Sequence, residues 1–380
     1  MNEYKILILY ASYGDGHFQV ARALQQAFFQ KGVEQIKMID LYTDSYPRFN
    51  ELIRQLYIKG SAYFPYFYGW TYKYTQNMKQ DQWLAKCFQS WGAEQMKRII
   101  EQEKPDVLIH TFPMPSVRAQ TNSRPPIFTV LTDFAIHNRW IHSEYDVLFV
   151  PTNELKTTII QRGIDARRIE VSGGIPVRAS FQSPSLRSSV DADTGLSPFQ
   201  DERQVVLIIA GAYGVLSNLS TLIGRIRRSL IQARIVVVCG RNQKLYRTIH
   251  AKHGRSVNVE VYGFVEKMAD LMASATCIVT KAGAITLSEA IASSLPIIVY
   301  RPLPGQEAEN ALYLYRKGAA AIAHTPSELV EQIKRLLSPD APEKEGVEEL
   351  SKSSRYASDS IVNRILDEIT CPASFIIKDN

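Results

Sequence analysis

Cysteine is scarce and scattered. Cys87, Cys239, Cys277 and Cys371 stand far apart with no Cys-x-x-Cys pair, which argues against a zinc site and supplies no disulfide framework, so a reducing cytoplasm is the expected compartment. Long apolar runs are missing too: residues 205–210 and 235–239 are strand-length, far short of the roughly 20 residues that a spanning helix needs. The start of the chain lacks the charged, apolar, small-residue order of a signal peptide, because residues 6–9 run straight into a Gly-rich turn. There is no helix-turn-helix, zinc-finger or aromatic-strand signature of nucleic-acid binding, so no nucleic-acid partner is expected. Neither sign of charge dominates. Lys and Arg number 44 against 38 Asp and Glu, a net +6, and this mild excess favours an anionic partner without choosing among nucleotide phosphate, acidic lipid headgroup and nucleic acid.

What is present is a globular chain of 380 residues, 45% hydrophobic and 22% charged, long enough for two domains of about 150–200 residues. Residues 5–10 form an apolar run, the turn Ala11-Ser12-Tyr13-Gly14-Asp15-Gly16-His17 follows, and residues 18–30 read as a helix with Val20, Leu24, Ala27 and Phe28 on one face. Strands are expected at 36–39, 107–110, 127–131 and 147–150, with helical stretches between them. This alternation predicts a parallel sheet covered on both faces. Residues 179–200, rich in Ser, Pro and Asp, read as a linker. The rhythm then restarts with strands expected at 205–210, 235–239, 257–261, 277–280 and 296–300. The domain plan is therefore 1–178, a linker at 179–200, 201–337, and a tail at 338–380 whose residues 347–369 form one helix returning to the first domain. The fold class is α/β, two Rossmann-like domains facing a cleft.

Three segments carry chemistry. Gly14-Asp15-Gly16-His17 lies at a strand-to-helix turn, where glycines admit a ligand close to the backbone and helix amides suit an anion. The third glycine of a dinucleotide fingerprint is missing, since Gln19 holds its place. An imidazole at the first helical position is kept neutral by the helix end, as a general base must be, though a capping role is the alternative. Thr132-Asp133-Phe134 with His137, Arg139 and Trp140 follows a strand at the edge where open α/β sheets place ligands; helix capping and core filling are the plainer reading. In the second half, Lys281-Ala282-Gly283-Ala284-Ile285-Thr286 repeats the strand, small-residue turn and helix, with Glu289 one helical turn on. The loop Pro304-Gly305-Gln306-Glu307-Ala308-Glu309-Asn310 then offers side chains to sugar hydroxyls. Gly211 and Tyr213 follow the first strand of this half. Asp191-Ala192-Asp193 has the spacing of a metal-binding pair but sits in the linker with no strand before it, and is read as a solvated loop. The aromatic block at 57–74, including Tyr66, Phe67 and Trp70, lies in a stretch with nine Lys and Arg against five Asp and Glu. It suits a membrane surface, the alternative being a helical hairpin packed on its own domain.

Tyr13-Gly14-Asp15-Gly16-His17, Thr111-Phe112-Pro113, Thr132-Asp133-Phe134 with His137 and Trp140, Gly263-Phe264-Val265, residues 280–289 and Gly305-Gln306-Glu307 together resemble the diacylglycerol glucosyltransferases of Gram-positive bacteria. These are relatives of the monogalactosyldiacylglycerol synthases within glycosyltransferase family 28, and the resemblance spans about residues 4–335. It implies the two-Rossmann GT-B fold, a nucleotide-sugar on the C-terminal domain, a lipid acceptor at the N-terminal domain, inversion of the anomeric carbon, and no cofactor or donor-bound metal. His17 matches the histidine beside the reacting sugar and Asp133 the acid that is the second candidate base. Phe264 and Val265 match the segment whose backbone meets uracil, Gly283–Thr286 the diphosphate loop, Glu289 the ribose acid, and Gln306 and Glu307 the sugar contacts. Ala284 stands where relatives often have proline. Gly16, Gly211, Tyr213, Arg241, Lys281, Ala282 and Asn310 complete the expected donor site; Phe134, His137, Trp140, Tyr66, Phe67 and Trp70 form the expected acceptor and lipid side.

The expectation that follows is transfer of a hexose, glucose first, from a UDP-sugar to diacylglycerol or a glycosyl-diacylglycerol. The product would be a membrane glycolipid of the lipoteichoic-acid anchor type, made by a peripheral protein at the cytoplasmic face of the membrane. An NAD-type oxidoreductase is disfavoured by the missing glycine and the second nucleotide-like half. A non-catalytic nucleotide-sugar sensor is the remaining alternative.

Overall fold

The computed structural model describes residues 4–12, 15–42, 76, 83–114, 125–141, 143–182, 203–211, 216 and 218–370. Tyr13, Gly14, the block at 57–74 with Tyr66, Phe67 and Trp70, the Asp191–Asp193 loop and Tyr213 lie outside these residues.

The described residues divide into two units, one holding those up to Ala179 together with those from Ser353 onward, the other those from Ser180 to Lys352. In the first, β1 (Ile6–Tyr10), α1 (Asp15–Gln30), β2 (Ile36–Asp40), α2 (Trp83–Glu103), β3 (Val107–His110), β4 (Ile127–Val130), α3 (Asn138–Ile141), β5 (Val147–Val150), α4 (Asn153–Gln161) and β6 (Ile169–Val171) follow in order. The strands pair in parallel as β2-β1-β3-β4-β5-β6. Strands covered on both faces read as unbroken apolar runs, and β3, β4 and β5 are buried at every position. The helix α1 buries Val20, Leu24, Ala27 and Phe28 along one stripe. It stops at Gly32, whose φ of 79° is open to glycine at no steric cost, with Val33 N bonded back to Phe28 O at 3.1 Å. This helix starts at Asp15, three residues before the expected start, because an acidic residue in the first turn complements the helix dipole. His17 is therefore the third helical residue rather than the first.

The second unit repeats the plan with β7 (Val205–Ile209), α5 (Leu219–Ser229), β8 (Arg234–Val238), α6 (Gln243–His253), β9 (Val259–Tyr262), α7 (Met268–Ser274), β10 (Cys277–Thr280), α8 (Ala284–Ala292), β11 (Ile297–Tyr300), α9 (Gln306–Arg316), β12 (Ala320–Ala323) and α10 (Pro326–Leu337). Its parallel order is β12-β11-β10-β7-β8-β9. Strand β9 begins two residues later than expected, since Val257 is 94% exposed in the preceding loop. Short strands β6 and β12 were not foreseen, and residues 306–310, read as loop, are the first turn of α9.

The tail is two helices rather than one: α11 (Pro342–Ser354) and α12 (Ala357–Thr370). The second unit thus extends to Lys352, past the boundary drawn at 337. Helix α12 packs on α1, and Ser358 Oγ donates to Val177 O at 3.1 Å. Within the second unit α11 lies against the end of α9, where a Cβ on Gly346 would stand 2.1 Å from Gly318 O and 2.4 Å from Gly318 C. Both atoms are backbone and have nowhere to move. Gly346→Ala is expected to cost about 3 kcal/mol through overpacking, read as a lower thermal or denaturant midpoint. A variant as stable as the parent would show that this approach is not tight.

Candidate functional site

In each sheet the strand order reverses once, and ligands of open α/β sheets bind outside the carboxyl ends of the strands at that point. In the first unit the reversal falls between β1 and β3, the strands whose following turns carry His17 and Thr111. His17 Nδ1 lies 2.6 Å from Thr111 O and 3.2 Å from Thr132 Oγ1. A carbonyl oxygen only accepts, so Nδ1 carries the proton and Nε2 holds the ring's lone pair. Thr111 Oγ1 in turn donates to His17 O at 3.1 Å, so one threonine grips both the ring and the backbone of the helix. The ring meets Phe112 edge-on at 5.0 Å and lies 6.3 Å from Trp140. Burial lowers the imidazole pKa to about 4, against the smaller opposing effect of the Thr111 bond. At neutral pH His17 is uncharged and able to accept a proton.

The turn after β4 places Thr132, Asp133 and Phe134 beside this edge, all buried, with Asp133 at 5%. Trp140 belongs to the core with Leu131, Ile136, Tyr145 and Leu148, and with Phe134 it offers little surface to an acceptor in this state. His137 Nδ1 accepts from Arg139 N at 3.2 Å, orienting the start of α3. Gly16 is the second residue of α1. Nothing in the sequence marks Thr111 and Thr132 as partners of His17, although both lie in motif segments.

In the second unit the order reverses between β7 and β10. Gly211 follows β7 with φ of 83°, and Lys281, Ala282 and Gly283 follow β10. Gly283 is the N-cap of α8 and no side chain caps the helix, so its first amides keep no intrahelical partner. Gly283 is exposed, and a Cβ there would meet nothing within 4 Å. Ala284, Ile285 and Thr286 form the first turn and Glu289 lies on the second. Asn310 is buried and its Nδ2 donates to Ala282 O at 3.3 Å, tying the start of α9 to the β10–α8 turn. Gln306 opens α9. Glu307 accepts from Leu303 N at 3.0 Å, so its carboxylate first orders its own turn. At the ends of β8 and β9, Arg241 lies over the half-exposed Phe264 ring at 4.7 Å, with Val265 adjoining.

Comparison with known proteins matches both units. A family model described as monogalactosyldiacylglycerol (MGDG) synthase covers residues 17–177, and one described as the glycosyltransferase family 28 C-terminal domain covers 205–362. The processive diacylglycerol beta-glucosyltransferase of Bacillus cytotoxicus is 38% identical over 340 residues, 88% of this chain and 86% of that protein. That of Bacillus thuringiensis is 36% identical over 369 residues, 96% and 94% of the two chains. Among solved structures, UDP-GlcNAc 2-epimerase from Neisseria meningitidis bound to UDP-GlcNAc matches with a TM-score of 0.63 at 14% identity, over 96% of this chain and 100% of that one. MurG from Acinetobacter baumannii matches with a TM-score of 0.58 at 18% identity, over 96% and 99%. The fold is GT-B, built from two Rossmann-like units.

Proposed function

The chain belongs to the diacylglycerol glucosyltransferase and monogalactosyldiacylglycerol synthase family of glycosyltransferases, and from that premise we propose that it moves glucose from UDP-glucose to diacylglycerol or a glycosyl-diacylglycerol. The observation that carries the reading is a neutral histidine at one switch point and an uncapped helix start at the other. The first supplies a base and the second an anion site.

In this mechanism His17 Nε2 takes the proton of the acceptor hydroxyl as that oxygen attacks the anomeric carbon. Asp133, on the neighbouring turn, orients the acceptor or serves as the alternative base. The departing UDP gains negative charge, met by the first amides of α8 with Lys281 and Arg241, which removes the need for a donor-bound metal. Glu289 holds the ribose, the backbone at Phe264 and Val265 the uracil, and Gln306, Glu307 and Asn310 the sugar. Attack opposite the leaving group converts an α-linked donor into a β-glycoside, a lipid of the lipoteichoic-acid anchor type. The enzyme works as a peripheral protein at the cytoplasmic face of the membrane, with Tyr66, Phe67 and Trp70 meeting lipid. Among the described residues no helix is long and apolar enough to cross a membrane.

The test offers purified protein to vesicles of diacylglycerol and anionic phospholipid in EDTA, with UDP-glucose, UDP-galactose or UDP-N-acetylglucosamine supplied separately, and reads the lipids by mass spectrometry. A hexosyl lipid from UDP-glucose alone is expected, its β linkage read from the anomeric proton coupling by NMR. Measurable donor binding without any lipid product would replace the lipid acceptor with another, or leave a sensor.

A further inference from the structure

We propose that Thr132 is a positioning residue for His17: its hydroxyl oxygen is the second acceptor of a three-centre bond from Nδ1–H, and with Thr111 O it fixes the imidazole in the tautomer that leaves Nε2 as the base. The proposal rests on His17 being the base of the transfer reaction.

The geometry carries it. Thr111 O at 2.6 Å is the primary acceptor and Thr132 Oγ1 at 3.2 Å the secondary one. The two come from the turns after β3 and β4, which are hydrogen-bonded neighbours in the sheet, so their spacing is set by the sheet and not by a mobile loop. Thr132 is 4% exposed, so its oxygen faces the ring from inside the protein. The Phe112 edge supplies a third constraint on the ring. In catalytic histidines a carboxylate commonly holds the far nitrogen and stabilises the imidazolium as it forms. Here two uncharged oxygens take that place. A neutral pair orients the ring and favours positive charge on it less strongly than a carboxylate does, which suits a buried site where an ion would be costly to keep.

This predicts a division between kinetic constants. Thr132→Val keeps the volume and removes the acceptor. Its kcat is expected to fall about tenfold, the effect of one well-placed hydrogen bond, while KM for the UDP-sugar stays unchanged because the donor is held in the other unit. Thr132→Ser restores the oxygen and is expected to recover most of kcat. Nitrogen-15 NMR of the parent protein, with the His17 signal assigned by its absence in His17→Ala, is expected to show the Nδ1–H tautomer, a readout that survives even if the valine variant folds poorly. An Nε2–H tautomer, a valine variant with parental kcat, or a serine variant as impaired as valine would each overturn the role of Thr132. A His17→Ala protein with parental activity would instead overturn the choice of base on which it rests.

Discussion

Replacing His17 with alanine is expected to lower kcat by about a thousandfold, with KM for the UDP-sugar little changed. A sugar or lipid hydroxyl is a poor nucleophile until its proton leaves, and a positioned base is worth roughly 10²–10⁴ in rate. The near-constant KM follows because His17 lies in the first unit and the uncapped start of α8 in the second. The pH dependence has a definite sign. Burial lowers the imidazole to about 4, so the base is already neutral well below pH 7. The acid limb of kcat/KM, which reports the free enzyme, is expected near pH 4, not at the ordinary histidine value of about 6.5. Stability moves the same way. The unfolded chain takes up the His17 proton near 6.5 and the folded chain only near 4, so folding weakens as pH falls across that interval. Rate measurements confined to the pH range where the circular dichroism signal is constant separate the two effects. An alanine variant retaining more than about a tenth of parental kcat would transfer the base role to Asp133.

The strands buried on both faces are the most plainly legible parts of this fold, although the partly exposed β2 and β9 are legible too. Strand β7 is an unbroken apolar run because no position along it meets water. Strands β6 and β12 escaped notice for physical reasons: β6 has three residues with Glu170 at its centre, and three of the four residues of β12 are alanine, a weak strand former. The helical character of the chain's end is legible as periodicity, but its break is not. Residues 355–356 separate α11 from α12 with no proline or glycine to mark the stop.

The candidate site divides in the same way. His17 stood out because a Gly-rich turn between strand and helix is a pattern of neighbours along the chain. Its main partner is a carbonyl oxygen 94 residues away, and every residue has one, so no side-chain pattern encodes it. Only the strand order, which sets β3 beside β1, brings that oxygen to the imidazole. The aromatic positions leave two readings open. Phe134 and Trp140 carry the chemistry of a lipid contact, yet the core claims them, because apolar rings serve both purposes and sequence alone does not rank them.

Gly283→Val is expected to raise the Kd for UDP and the KM for UDP-sugar by about a hundredfold at a stability cost of only about 1 kcal/mol, that of replacing glycine by valine at a helix N-cap. The backbone at Gly283 has φ −66° and ψ 120°, an extended conformation that a β-branched residue adopts readily. A Cβ there meets no atom within 4 Å, so the unliganded protein meets no steric obstacle to the change. Any effect then reports what must enter that space. A diphosphate reaching the first amides of α8 has to come within hydrogen-bond distance of the backbone, and an isopropyl group holds it off. Losing two charge-assisted bonds costs roughly 3 kcal/mol together, which is about two decades in affinity. Calorimetry with UDP alone sharpens the assignment. Gly283→Val should weaken UDP and UDP-glucose equally, because both carry the diphosphate, whereas Gln306→Ala should weaken only the sugar-bearing ligand. Unchanged UDP affinity in the valine variant would move the diphosphate away from α8, and with it the stabilisation of the leaving group.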